Sequence, residues 1–101
     1  MAELRAVARV DEVPPDSVRA IDLDGTTVAL ARVGDEFHAL AGHCAHMGGP
    51  LGEGALEGCV LSCPWHGWQY DVRTGENEFD RAIRVETYPV RVEDGVVSIQ
   101  L

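Results

Sequence analysis

The amino-acid sequence predicts an all-β fold, with antiparallel sheets arranged as a small sandwich or barrel. Three observations carry this. No segment of ten or more residues shows helical periodicity, short runs rich in Val, Ile, Leu and Thr recur along the chain, and turn dipeptides separate those runs.

In chain order, strands are predicted near Leu4–Arg9, Ser17–Leu23, Thr27–Val33, Glu36–Leu40, Cys59–Ser62, Gln69–Asp71, Val85–Tyr88, Val90–Glu93 and Val96–Leu101. Asp24-Gly25 and Asp94-Gly95 each link two apolar runs. Type I′ hairpin turns ask for such residues because both central positions need positive φ. Gly34-Asp35 is expected to close a third hairpin. The segment Asp11–Ser17 holds two prolines, which cannot donate to a sheet ladder, so it reads as a loop.

The rhythm breaks between Ala41 and Gly58, where Gly42, Gly48, Gly49, Gly52, Gly54 and Gly58 crowd around Pro50. Neither strand nor helix is expected there. A loop of this composition can wrap closely around a bound group while the flanking strands hold its ends.

With 101 residues, the sequence has the size of one small domain and can bury one modest core. Residues 1–101 are therefore read as one domain, with a lobe at about 41–71. A formal charge of −9 argues against nucleic acid or an anionic membrane surface as partner and favours basic ones. The N-terminal stretch has no signal-peptide pattern and no apolar run approaches membrane-spanning length, so a soluble, cytoplasmic protein is expected. Three cysteines, an odd number, fit reduced thiols or metal ligation better than a disulfide framework.

The chemistry concentrates in Cys44-x-His46 and, after 16 intervening residues, Cys63-x-x-His66. Two thiolates and two imidazoles select zinc, or iron in a sulfide cluster, over hard cations. Zinc modules usually begin with two cysteines from one knuckle, whereas each loop here is mixed. Mixed loops suit two inequivalent metals, each loop sending its cysteine to one and its histidine to the other. A Cys₂His₂ structural zinc module remains the distant alternative, distinguished by colour: a zinc protein is colourless and an iron–sulfur protein red-brown.

The stretches "CAH" and "CPWHG" at this spacing resemble the signature of Rieske [2Fe–2S] proteins. The order of strands, two-loop insert, "YDVRTG" and terminal hairpin resembles a soluble Rieske ferredoxin over essentially the whole chain. The resemblance implies an antiparallel Rieske-type sandwich with a cluster-binding lobe of two loops. It also implies one [2Fe–2S] cluster, with Cys44 and Cys63 on the inner iron and His46 and His66 on the outer one. The two thiolates and the charge of the oxidised core cancel, so the loaded protein keeps the −9 of the chain.

Departures from the respiratory members narrow the expectation. Their two additional cysteines correspond to Gly49 and Trp65, so that disulfide is not expected here. Trp68 follows Gly67 where they carry a serine that donates to a sulfide. Tyr70 matches the family tyrosine whose hydroxyl bonds to a cysteine sulfur. Trp65, Gly67, Trp68 and Tyr70 are thus expected to surround and tune the cluster, giving a potential at the low end of the Rieske range.

The resemblance implies an electron carrier and no enzyme of its own, moving single electrons from an NAD(P)H-dependent flavin reductase to a terminal oxygenase. The oxygenase would be an aromatic-ring dioxygenase or a diiron monooxygenase. The alternative is the small Rieske subunit of an assimilatory nitrite reductase. Outside the motif, Cys59 reads as a small buried hydrophobe, His43 as a solvated loop residue or a hydrogen-bonding neighbour of the site, and His38 as half-buried. Trp65 and Trp68 either shield the cluster or offer a docking surface, and Met47 reads as loop packing. Phe79, in the loop after Thr74-Gly75, is expected to cover the cluster. Glu53, Glu57, Glu76, Glu78 and Asp80 form either a solvated face or a docking patch for basic partners.

Overall fold

The computed structural model describes residues 4–44, 48–65 and 67–100. Among them are ten strands: β1 (Leu4–Arg9), β2 (Ser17–Leu23), β3 (Thr26–Val33), β4 (Glu36–Ala41), β5 (Ala55–Glu57), β6 (Val60–Ser62), β7 (Gln69–Asp71), β8 (Thr87–Tyr88), β9 (Val90–Glu93) and β10 (Val96–Gln100). Every strand pairing is antiparallel, in sheets ordered β1-β10-β9, β2-β3-β4-β8 and β5-β6-β7.

The hairpins form where the turn chemistry demands them. Asp24 and Gly25 have φ of 51° and 89°, and Asp94 and Gly95 have 50° and 75°, so both positions of each two-residue turn are left-handed. Gly34, with φ 61°, turns β3 into β4, and Val33 faces Glu36 across the hairpin. The loop after β1 contains a short 3-10 turn, Val10–Glu12. Arg32 reaches from β3 to hold it, donating from Nη1 to the carbonyls of Val10 (3.1 Å) and Val13 (2.7 Å).

Side-chain alternation on β3 and β4 places the four-stranded sheet between the other two. On one face Val28, Leu30 and Ala39 pack with Val97 and Ile99 of β10 and with Val13. On the opposite face Ala29, Ala31 and Leu40 pack with Leu61, Tyr70, Val72 and Val85, together with Cys44 and Cys63. Period-two alternation in buried strands gives each face its own core.

The glycine-rich segment differs from expectation. It contains a 3-10 turn, Leu51–Glu53, and the strand β5. Leu51 is fully buried and anchors the turn in the second core, and β5 finds a partner in β6 across a turn with Gly58 at φ 61°. Burial and cross-strand pairing here override a composition poor in strand formers. Gly52 lies so close to β2 that a Cβ on it would meet the Cβ of Ala20 at 2.6 Å. Cys59 lies in the turn before β6, half-buried against the core. The strand expected at Val85–Tyr88 shortens to β8, because Val85 turns its N–H to the carbonyl of Gly75 (2.9 Å) instead of joining the ladder.

Candidate metal centre

Two loops are closed in the same way. The backbone N–H of Cys44 donates to the carbonyl of Gly49 (2.8 Å), and that of Cys63 to the carbonyl of Trp68 (2.7 Å). In each case the cysteine closes a turn on the residue five positions ahead, a span that in sequence includes the motif histidine. His46 and His66, with Met47, are outside the described residues. The first loop is tied further by Gly48 N–H to the Cys44 carbonyl (2.9 Å) and Leu51 N–H to the Gly42 carbonyl (2.9 Å). Strand β4 leads into that loop, and β6 and β7 bracket the second.

Both cysteines are buried in one core, and no disulfide joins any of the three cysteines. Tyr70, fully buried on β7, places its Oη 3.1 Å from Cys44 Sγ. The Trp65 backbone N–H approaches Cys63 Sγ at 3.4 Å. Burial pushes the Cys63 thiol up from its ordinary value, the Trp65 N–H opposes that shift, and neighbouring Cys44 adds to it. Two thiols close enough to perturb each other, one receiving the Trp65 N–H and the other in hydrogen-bond contact with the Tyr70 hydroxyl, form half of a soft-metal site.

The space around them is cut to fit. A Cβ at Gly49 would lie 2.6 Å from Cys63 Sγ and 3.1 Å from the Cβ of Trp65. The positions equated above with the respiratory disulfide are therefore in contact, and here tryptophan packs over a bare backbone. Trp65 remains 49% exposed, and Trp68 packs half-buried against the core. Gly67 holds φ 70°, a left-handed turn position that suits glycine.

The loop after β7 departs from its expected role. Phe79 is 77% exposed and so does not cover the two cysteines. The loop is pinned instead through Asn77, whose Oδ1 accepts the backbone N–H groups of Phe79 (2.8 Å) and Asp80 (3.0 Å). That Asx geometry turns the following residues outward and carries Phe79 with them. Sequence reasoning missed Asn77, which has no spacing signature to give it away. Glu53, Glu57, Glu78 and Asp80 are exposed, while Glu76 is partly buried and pairs with Arg81 at 3.4 Å. His43 is exposed and His38 is half-buried.

The donor set fits an iron–sulfur group. Two buried thiols with sulfur-directed donors and a side-chain-free approach at Gly49 match the needs of thiolate ligands kept dry and hydrogen-bonded. Among the described residues no group of three or more His, Cys, Asp or Glu side chains converges on a metal position elsewhere. No helix among them is long and apolar enough to cross a membrane.

Known proteins resemble the chain in sequence and in fold. The chain is 30% identical to the ferredoxin component of the naphthalene 1,2-dioxygenase/salicylate 5-hydroxylase systems of Ralstonia sp., covering 93% of this chain and 91% of that protein. It is 33% identical to mouse apoptosis-inducing factor 3 over 93% of its length, yet spans 16% of that longer protein. Among solved structures, the ferredoxin of carbazole 1,9a-dioxygenase from Nocardioides aromaticivorans IC177 superposes with a TM-score of 0.89 at 29% identity, covering 95% of each chain. A ferredoxin solved in complex with the oxygenase of carbazole 1,9a-dioxygenase gives 0.88 at 31% identity, with 95% of this chain and 91% of that one covered. A small subunit assigned to an NADH-dependent nitrite reductase of Mycobacterium tuberculosis shares the fold, with a TM-score of 0.91 at 22% identity and coverage of 100% and 96%. The Rieske [2Fe-2S] domain profile matches residues 3–89, nearly the whole span from β1 to the start of β9 and both cysteine loops within it. On these grounds the chain belongs to the Rieske [2Fe-2S] domain family.

Proposed function

We propose that this chain is a ferredoxin that carries single electrons from an NAD(P)H-dependent flavin reductase to a terminal oxygenase, an aromatic-ring dioxygenase or a diiron monooxygenase. It acts as a diffusible carrier and performs no catalysis of its own. The observation that carries this reading is the pair of matched cysteine loops, each closed by its own cysteine N–H, that place two thiols in one dry core. Relatives of the same length that are ferredoxin components of dioxygenase systems support it. So does the ferredoxin solved with its oxygenase, which points to the oxygenase as the acceptor.

In this reading Cys44 and Cys63 hold the inner iron and His46 and His66 the outer one, and the bound cluster supplies a one-electron redox couple. The chain's own residues set the conditions. Tyr70 O–H donates to the Cys44 sulfur and the Trp65 N–H to the Cys63 sulfur, each favouring the reduced, more negative state. Burial of both thiols excludes water. With Trp68 at the serine position of the respiratory proteins, one donor is lost and the potential sits low.

Dithionite-reduced protein should give the EPR signal of a Rieske cluster, and Cys44→Ser or His66→Ala should abolish it. The midpoint potential should fall on the order of −150 mV. A colourless zinc protein, a native spectrum in either variant or a midpoint above zero would overturn the reading. A nitrite reductase subunit is the second reading, supported by likeness of fold alone at 22% identity.

A further inference from the structure

Asn77 is the single asparagine of the chain and, among the described residues, the polar side chain most completely buried, at 2% exposure. Its amide is used unequally. Oδ1 accepts two backbone N–H groups, from Phe79 at 2.8 Å and Asp80 at 3.0 Å. Because both partners are donors, they fix which end of the amide is oxygen. Nδ2, with two N–H groups to give, is buried and has no hydrogen-bond partner among the described residues. A buried donor left in that state carries an uncompensated desolvation cost, and native structures complete such groups with water, an ion or a bound molecule.

The strand geometry says on which side the missing acceptor lies. Asn77 faces Tyr70 across an antiparallel bridge, so the two side chains leave the same face of the sheet. On that face Tyr70 Oη is 3.1 Å from Cys44 Sγ. With Oδ1 turned to the outer loop, Nδ2 is turned back from it. The core residues on this side, Leu61, Val72 and Val85, have no side-chain acceptor. A buried water needs two to four polar partners. Among the described residues the other buried side-chain atom without a hydrogen bond is His38 Nε2, which has Glu36 Oε1 at 3.4 Å and lines the groove with Arg73 and Tyr88. The side-chain acceptors on the Tyr70 face are the Tyr70 hydroxyl oxygen and, beyond it, the sulfur of Cys44.

We propose that Asn77 Nδ2–H donates a hydrogen bond to a sulfur of the Rieske cluster, as a second side-chain donor beside Tyr70. The inference rests on the cluster reading above. Such a bond is stronger to the reduced cluster and raises its potential.

The lone asparagine makes the test direct. Protein made in an asparagine auxotroph with asparagine labelled ¹⁵N at the side-chain amide carries one label, at Asn77 Nδ2. Pulsed EPR of the reduced holoprotein is expected to show a ¹⁵N hyperfine coupling that unlabelled protein lacks. Asn77→Leu should lower the equilibrium constant for reduction about tenfold, a fall of about 59 mV for one electron, with the Rieske g-values kept. A native Rieske spectrum without ¹⁵N coupling overturns the donor and leaves the cluster reading standing, and so does an unchanged potential in the variant. Loss of any Rieske signal from the wild type overturns both. Should the variant not fold, the labelled wild type decides alone.

Discussion

Tyr70 joins the two cysteine loops with one atom: its ring is rooted on β7 beside the second loop, and its hydroxyl reaches the sulfur of the first. Tyr70→Phe keeps the ring and removes the donor. A hydrogen bond to a charged group is worth about 1.5–3 kcal/mol, and the share of it gained on reduction sets the shift, so the midpoint potential should fall by roughly tens of mV, read by spectroelectrochemistry. An unchanged potential would show that the contact carries no redox weight. At this scale the sequence was readable where a residue's type and spacing both mean chemistry. Cys44, Cys63 and Tyr70 come together as the motif suggests, whereas Phe79 and Asn77 could not be told apart from ordinary loop residues. Which of the two lies buried is decided by two backbone N–H groups that Asn77 alone can accept.

Among the elements, the hairpins at Asp24-Gly25 and Asp94-Gly95 were fully legible, because positive φ at two successive positions narrows the choice of residue. Strand β5 was not, since three residues between glycines acquire strand character only from pairing with β6. The turn that ends β7 rests on charge. Arg73 grips Asp71 through Nε at 3.0 Å and Nη2 at 2.8 Å, and its backbone N–H donates to the same carboxylate at 2.9 Å. These hydrogen bonds hold the Asp71 carboxyl below its ordinary value of 3.8, although burial pushes the other way. A carboxyl with a lowered pKa in the folded state stabilises the fold above its unfolded-state value and loses that contribution as pH falls through the folded value. Melting temperatures of Asp71→Asn and wild type should therefore differ most at neutral pH and converge below about pH 4. Parallel curves down to pH 2 would sink this account.

For the molecule as a whole, the all-β class was readable from turn spacing, but the stacking of three sheets was not. It depends on which face each β3 residue takes, and that is settled only when both neighbouring sheets are in place. Strand β3 works as a party wall: Val28 and Leu30 furnish one room, Ala29 and Ala31 the other, and the cysteines live in the second alone. The tenancy of the two rooms is unequal. The first is furnished by the chain itself, while the second has thiols in place of part of its apolar lining and, in the proposed reading, is completed by the cluster. Stripping the iron should accordingly be a local event. In hydrogen exchange, apo-protein amides of β5, β6 and β7 should open far sooner than those of β1 and β10, whereas uniform loss of protection across all three sheets would show that the wall does not insulate. For the proposed carrier this means that losing the cluster empties one room and leaves the other standing.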